Sequence, residues 1–283
     1  MRKLHIINAM SDSICDNTDG RINIGGLLFD NLDMDETVVR IDDIIRAYRS
    51  GRTQHSAFGL VANQDIINKK KLFPDMSDDV LNRSALTFPD GYSIVVASKM
   101  LGTLLKCRVA GPDLMWKVVA ERRKYSHFFL GAAEGVAQKM ADRFRSEFGD
   151  IKVAGIYTPP FCAEFTSEEN DKMIDMINRS ECDILWVSFG CPKQERWIVN
   201  NIERLRVPIA LGVGAAFDFH SGNVKRAPLW MQNMKLEWLF RITQSPKRLF
   251  GRYFNGGVTF YRTIKHQKKM MKKQKLSNIK EEK

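Results

Sequence analysis

Three groupings of residues in this 283-residue chain have the types and spacing to do chemistry. Asp33-Met34-Asp35 has the D-x-D pattern that holds a divalent metal in many sugar-nucleotide transferases, but it immediately precedes a run of helical periodicity, where an aspartate reads first as an N-cap. Gly212-Val213-Gly214-Ala215-Ala216-Phe217 follows an apolar run and nearly spells the dinucleotide fingerprint. Phe217 replaces its last glycine and no long helix follows, so it argues poorly for NAD. The third grouping is a set of polar residues standing where apolar runs end: Asn63, Pro89-Asp90-Gly91, Pro192-Lys193-Gln194-Glu195 and Asp218. Asp90 by spacing alone reads as a turn aspartate capping a helix from Tyr92, and Gln194 and Glu195 as first-turn residues favoured by the helix dipole. Five scattered cysteines lack a C-x-x-C pair and five histidines lack ligand spacing, so neither a disulfide framework nor a metal site is expected, and no cofactor is called for.

The elements that must position these residues alternate in type. Residues 36–50 place Val38, Ile41, Ile44, Ile45 and Tyr48 at helical spacing, with Asp35 as candidate cap and Gly51 as stop. Short apolar runs at 57–61, 127–130, 151–157, 184–189 and 209–212 each lead through a polar or glycine turn, several into an amphipathic segment. This grammar predicts βαβ units, hence an α/β fold with a Rossmann-like, doubly wound, mostly parallel sheet, whose ligands sit at the C-terminal strand ends. After Gly222 the strand signal stops, and helices punctuated by Pro228 and Pro246 lead into a lysine-rich tail. The expected organisation is a catalytic core over 1–223, a helical appendage over 224–262 and a structureless tail over 263–283.

Charge divides at the same place. From Lys225 onward 16 lysines and arginines face three acids, whereas the preceding 224 residues hold 28 bases and 30 acids. The whole basic excess therefore lies in the C-terminal segment and predicts an anionic partner there, a phospholipid surface, a nucleic acid or pyrophosphate groups. Its basic residues are interleaved with Trp230, Trp238, Phe240, Phe250, Tyr253, Phe254 and Phe260, unlike a merely solvated tail. No apolar stretch approaches the ~20 residues of a membrane helix, and the first residues form no signal peptide. The expected location is the cytoplasm, peripherally at the inner face of the cell membrane.

Taken in order, several segments resemble the bacterial glycosyltransferase family that includes the N-acetylmannosaminyltransferases of wall teichoic acid and enterobacterial common antigen, the WecG/TagA/CpsF type. The resemblance is carried by Val61-Ala62-Asn63-Gln64-Asp65, Pro89-Asp90-Gly91, Arg108-Val109-Ala110-Gly111-Pro112-Asp113, Phe128-Phe129-Leu130-Gly131 and Val187-Ser188-Phe189-Gly190-Cys191-Pro192-Lys193-Gln194-Glu195. It continues through Gly212-Val213-Gly214-Ala215-Ala216-Phe217-Asp218, Lys225-Arg226-Ala227-Pro228, Glu237-Trp238-Leu239-Phe240-Arg241 and 246–253. It implies an inverting, metal-independent transfer from a UDP-sugar (N-acetylmannosamine, its uronate or glucose) to a sugar on undecaprenyl diphosphate, in the synthesis of a surface polysaccharide.

The resemblance also implies roles. Asp90 matches the family's proposed base, which must take the acceptor hydroxyl's proton. Asn63 and Gln194 match donor-sugar contacts, with Gly131, Gly190 and Gly212 in the donor-binding loops and Asp218 beside the nucleoside. Arg108 matches an acceptor or phosphate contact, and Arg241, Arg248 and Arg252 match arginines that stabilise the departing diphosphate. Two departures, Val61 where relatives commonly carry threonine and Ser93 where glycine is expected, leave the sugar open. A homo-oligomer also stays open. A nucleic-acid-binding protein would explain the basic C-terminus but not the ordered strand-end motifs, and a nucleotide-dependent oxidoreductase would need a better glycine fingerprint.

Overall fold

The structure is a computed structural model that describes residues 20–281, with main chain alone at 248, 252 and 278–281. An antiparallel hairpin, β1 (Ile22–Ile24) and β2 (Leu27–Phe29), turns at Gly25-Gly26. Six further strands form one wholly parallel sheet: β3 (Ala57–Ala62), β4 (Leu86–Pro89), β5 (Ser126–Gly131), β6 (Lys152–Tyr157), β7 (Ile184–Ser188) and β8 (Ile209–Gly212), in the order β4-β3-β8-β7-β5-β6. The helices are α1 (Met34–Arg49), α2 (Gln64–Lys69), α3 (Asp78–Leu81), α4 (Tyr92–Leu101), α5 (Gly111–Glu121), α6 (Val136–Phe148), α7 (Ser167–Ser180) and α8 (Lys193–Asn201). They are followed by α9 (Ala216–His220), α10 (Leu229–Asn233), α11 (Glu237–Gln244) and α12 (Pro246–Glu281).

Parallel strands joined by helical crossovers have both faces covered, so their residues are apolar whichever way they point. Leu60, Leu130, Leu185, Val187 and Ala210 face one layer, which α2, α4, α7 and α8 fill with Ile66, Ile94, Met173, Ile177 and Trp197. The intervening Val61, Phe129, Ile184, Trp186 and Leu211 face the other, filled from α1, α5, α6 and α9 by Ile41, Leu114, Met140, Phe144 and Phe217. The chain is thus doubly wound and Rossmann-like. Strand β4 reads in the sequence only as the approach to a turn, because it is four residues long and ends in Pro89 at the edge of the sheet.

The first helix is capped by Asp33, which corrects the expectation of Asp35. Asp33 has extended backbone, its Oδ1 accepts from the Glu36 N–H (2.9 Å), and Glu36 Oε2 accepts in return from the Asp33 N–H (2.8 Å). This reciprocal pair is a capping box, which also accounts for the D-x-D pattern. Among the described residues no three His, Cys, Asp or Glu side chains gather as metal ligands, and no helix is long and apolar enough to cross a membrane.

Helix α12 runs through the expected appendage boundary at 262/263 and on through residues expected to lack structure. Its apolar stripe explains why. Phe260 and Ile264, four residues apart, are buried in the layer built by α2 and α4, and Gln267, one position further along that face, closes on the hairpin. Gln267 Oε1 accepts from the Gly25 N–H (2.8 Å) while its Nε2 donates to the Asn23 carbonyl (2.9 Å). Where α12 crosses α2, the Gly256 carbonyl accepts from Asn68 Nδ2 at 2.9 Å. Ile264→Ala should cost about 2–5 kcal/mol, the usual penalty for emptying a buried isoleucine site, read as a lower urea midpoint; Lys265→Ala on the exposed face should stay within about 0.5 kcal/mol of the parent.

Candidate active site

The sheet reverses its winding between β5 and β7, since β5 leads outward to β6 and β7 inward to β8. Ligands of doubly wound sheets bind outside the carboxyl ends of strands at such a point. A cleft of ≈ 2120 Å³ opens there. Asn63 follows β3, Asp90 follows β4, Gly131 and Gly212 end β5 and β8, and Gly190 follows β7; all five line the cleft. Gln194, Asp218 and Arg108 line it too, and α11 brings Arg241 to its mouth. The side chains of Arg248 and Arg252 lie outside the described residues.

Gly131 shows why the floor is built of glycine. Its φ of +106° is strained for any side chain, and a Cβ there would stand 2.6 Å from the Ser188 carbonyl oxygen.

Asp90 does not cap the helix that follows it. The N-cap of α4 is Gly91, at φ +93°, and no side chain bonds there. The Asp90 N–H instead donates to the Ala62 carbonyl (2.9 Å), which ties the ends of β3 and β4 together and turns the carboxyl to the cleft. Asn63 caps α2 through Oδ1, accepting from the Asp65 N–H at 2.9 Å, and its side chain faces Asp90. Burial pushes the Asp90 carboxyl above the ordinary carboxylate range; Arg108 and Arg241 pull it back down and Glu237 adds to the rise. A carboxylate so placed is a stronger base than one in water.

Gln194 lines the cleft with its amide engaged by the protein itself. Its Oε1 accepts from the backbone N–H groups of Gly190 (3.1 Å) and Gly214 (3.0 Å), and its Nε2 donates to Glu195 Oε1 (2.8 Å). A Cβ on Gly212 would approach that Nε2 to 2.9 Å. The amide therefore braces the loops after β7 and β8 against each other, and only 3% of Gln194 is exposed. Glu195 beside it is buried, which raises its carboxyl from 4.5 to about 7.

The appendage meets the core through a cluster of charges. Arg108 Nη1 lies 2.9 Å from Glu237 Oε2, and Arg226 Nε lies 3.3 Å from Glu237 Oε1. Arg226 also grips Asp113 through Nη1 and Nη2, the latter at 2.8 Å. Tyr92, just beyond Asp90, is approached by Arg108 (5.0 Å to the ring centre) and by Lys235 (5.2 Å), while Arg241 lies 5.3 Å from the centre of Phe219. The sequence does not nominate Arg226, Lys235 or Glu237 as site residues. Arg226 and Glu237 stand within segments of the family resemblance, but only the fold brings Glu237 to Arg108 and Arg226 and sets Lys235 against Tyr92.

With this geometry in place, similarity to known proteins is informative. Residues 22–274 match the family described as Glycosyl transferase WecG/TagA/CpsF. The chain belongs to this family. It is a glycosyltransferase, and the oxidoreductase and nucleic-acid readings fall away. Among its relatives, a protein of Bacillus subtilis (strain 168) named N-acetylglucosaminyldiphosphoundecaprenol N-acetyl-beta-D-mannosaminyltransferase is 32% identical over 210 residues, 74% of this chain and 75% of its own. One of the same name from Bacillus spizizenii is 33% identical over 68% of this chain and 73% of its own. Another of that name from Staphylococcus aureus (strain MW2) is 24% identical over 89% of this chain and 95% of its own.

In this glycosyltransferase the buried Glu195 makes stability depend on pH. Its folded-state value near 7 exceeds the unfolded 4.5, so the stabilising, protonated form contributes fully below 4.5 and is lost as pH rises through about 7. The full span is worth roughly 3 kcal/mol at most. Urea unfolding at pH 5.5 and 8 should show the parent losing stability relative to Glu195→Gln, which keeps the shape and cannot ionise.

Proposed function

We propose that this glycosyltransferase moves N-acetylmannosamine, with inversion and without a metal, from UDP to an N-acetylglucosamine carried on undecaprenyl diphosphate. The observation that carries the reading is the position of Asp90: a carboxyl made more basic by burial, lining the cleft at the carboxyl end of β4, in a chain similar along most of its length to relatives bearing that activity in their names. The acceptor hydroxyl oxygen attacks the anomeric carbon from the side opposite UDP. Asp90 takes the hydroxyl proton, and the bond from the anomeric carbon to the β-phosphate oxygen breaks with its electron pair on UDP.

Charge developing on the diphosphate needs a cationic partner. Arg108 and Arg226 are engaged by Glu237 and Asp113, whereas Arg241 and Lys235 form no ion pair among the described residues and line the same cleft. We assign the departing diphosphate to these two, with Arg248 and Arg252 as further candidates from the sequence. Asp33 is spent on its capping box, and Asp35 reaches Lys117 at 2.7 Å. Neither supplies a metal ligand to the cleft, which supports the metal-independent reading.

The appendage fits a membrane-facing role. Leu229, Trp230, Met234, Trp238, Leu239, Phe250 and Phe254 are exposed on α10 to α12, among the basic residues of the segment. Such a surface suits the cytosolic face of an anionic bilayer, where each Lys or Arg contributes about 1 kcal/mol.

A donor assay with UDP-N-acetylmannosamine, its uronate and UDP-glucose on a synthetic N-acetylglucosaminyl diphosphoprenol tests the reading, with UDP release as the signal. N-acetylmannosamine should be the best donor, and no release with any of the three overturns the proposal. Asp90→Asn should lower turnover by about 10²–10⁴ while still binding UDP. Truncation after Gln267 keeps the Phe260, Ile264 and Gln267 contacts and removes only lysine-rich helix. It should weaken sedimentation with phosphatidylglycerol vesicles while turnover of a short-chain soluble acceptor stays near the parent value.

A further inference from the structure

A carboxylate that is to take a proton must not be locked in a salt bridge, and Asp90 has an arginine as its neighbour in the fold. The Val109 N–H donates to the Pro89 carbonyl at 3.0 Å, which sets Arg108 and Asp90 on adjoining segments of one cleft wall. Arg108 nevertheless forms no ion pair with Asp90 among the described residues. Its guanidinium is held instead by Glu237 of α11 at 2.9 Å and by Asp113 at 3.6 Å, and Tyr92 lies against it. The Arg108 and Glu237 side chains are each 13% exposed, so water screens their pairing little.

We propose that Glu237 is a positioning residue for the transfer: by engaging Arg108 it keeps that guanidinium out of a salt bridge with Asp90 and leaves the carboxylate to receive the acceptor's proton. The proposal rests on the reading of Asp90 as the base. It gives the appendage a task at the reacting atoms besides contact with a membrane or a diphosphate.

The groups that face Asp90 are the Asn63 amide from the end of β3, Arg108 from the segment before α5, and Arg241 and Glu237 from α11. Lys235 stands beyond Tyr92, and Asp113 and Arg226 lie behind Arg108. Burial dominates the basicity of Asp90; the two arginines oppose it and Glu237 supports it. Removing the Glu237 charge would both delete that support and release Arg108. Arg226 alone would not restrain Arg108, because it is a like charge competing for Asp113.

The test is the acid limb of the pH profile of kcat/KM, measured with UDP-N-acetylmannosamine and the synthetic acceptor on the full chain. Glu237→Gln keeps the shape and an amide oxygen for the arginines, and the limb should move to lower pH by about one unit, as an opposite charge gains on Asp90. Arg108→Met should move it to higher pH, and the double variant should also move it upward but by less, because the direct support of the Glu237 charge is gone there. A merely structural role for Glu237 lowers the rate and melting temperature without moving the limb, and that result overturns the proposal, as do shifts of both single variants in one direction. If Glu237→Gln does not fold, Glu237→Asp decides, since it keeps the charge and shortens the reach to Arg108: a limb moved to lower pH supports the proposal and an unmoved limb defeats it. Turnover that persists in Asp90→Asn would defeat the base assignment itself, whereas an inactive Asp90→Asn beside an unmoved Glu237→Gln limb would remove only the role of Glu237.

Discussion

Two differently built parts of this enzyme, a doubly wound sheet and a run of basic helices, are joined beside the cleft by the ion cluster of Arg108, Asp113, Arg226 and Glu237. Burying charge is costly unless each ion is paired and hydrogen-bonded, and here two bases and two acids satisfy one another with the fork geometry arginine provides. The cluster brings α11 to the cleft, and with it Arg241. Both charge balance around Asp90 and the supply of cations to the cleft mouth depend on where this cluster sits.

The sheet side is organised by shorter-range constraints. Strand ends are tied pairwise, Asp90 to Ala62 by backbone and the loops after β7 and β8 by the Gln194 amide. Glycines at 131 and 212 let these ties close, because side chains there would meet a carbonyl oxygen or the Gln194 amide. The strand-end loops are therefore braced by backbone and amide ties, whereas the long basic side chains of Lys235 and Arg241 reach the cleft from the appendage.

Much of this is legible in the sequence for a physical reason. A parallel strand covered on both faces is apolar at consecutive positions, so runs such as Ile184–Ser188 announce themselves, and the polar residues that follow them are placed at one end of the sheet by topology alone. What escapes is what depends on pairing across the chain. The hairpin at Ile22–Phe29 has only three residues per strand, and Glu237 looks like an ordinary first-turn glutamate until Arg108, 129 residues away, is beside it. The lysine-rich stretch reads as solvated because the contacts that seat its helix there, those of Phe260, Ile264 and Gln267, fall at its start and depend on partners far away in the sequence. The choice of Asp33 over Asp35 as cap turns on Glu36 standing three residues after Asp33.

The bond from Gln267 to Gly25 spans 242 positions of sequence. During synthesis it cannot form until nearly the whole chain has left the ribosome, and the layer sealed by Phe260 and Ile264 stays open until then. Loop closure over such a distance is slow and comes late. The helix that carries the aromatic and basic surface is thus among the last parts to seat, after the strands and glycine turns of the sheet have been made.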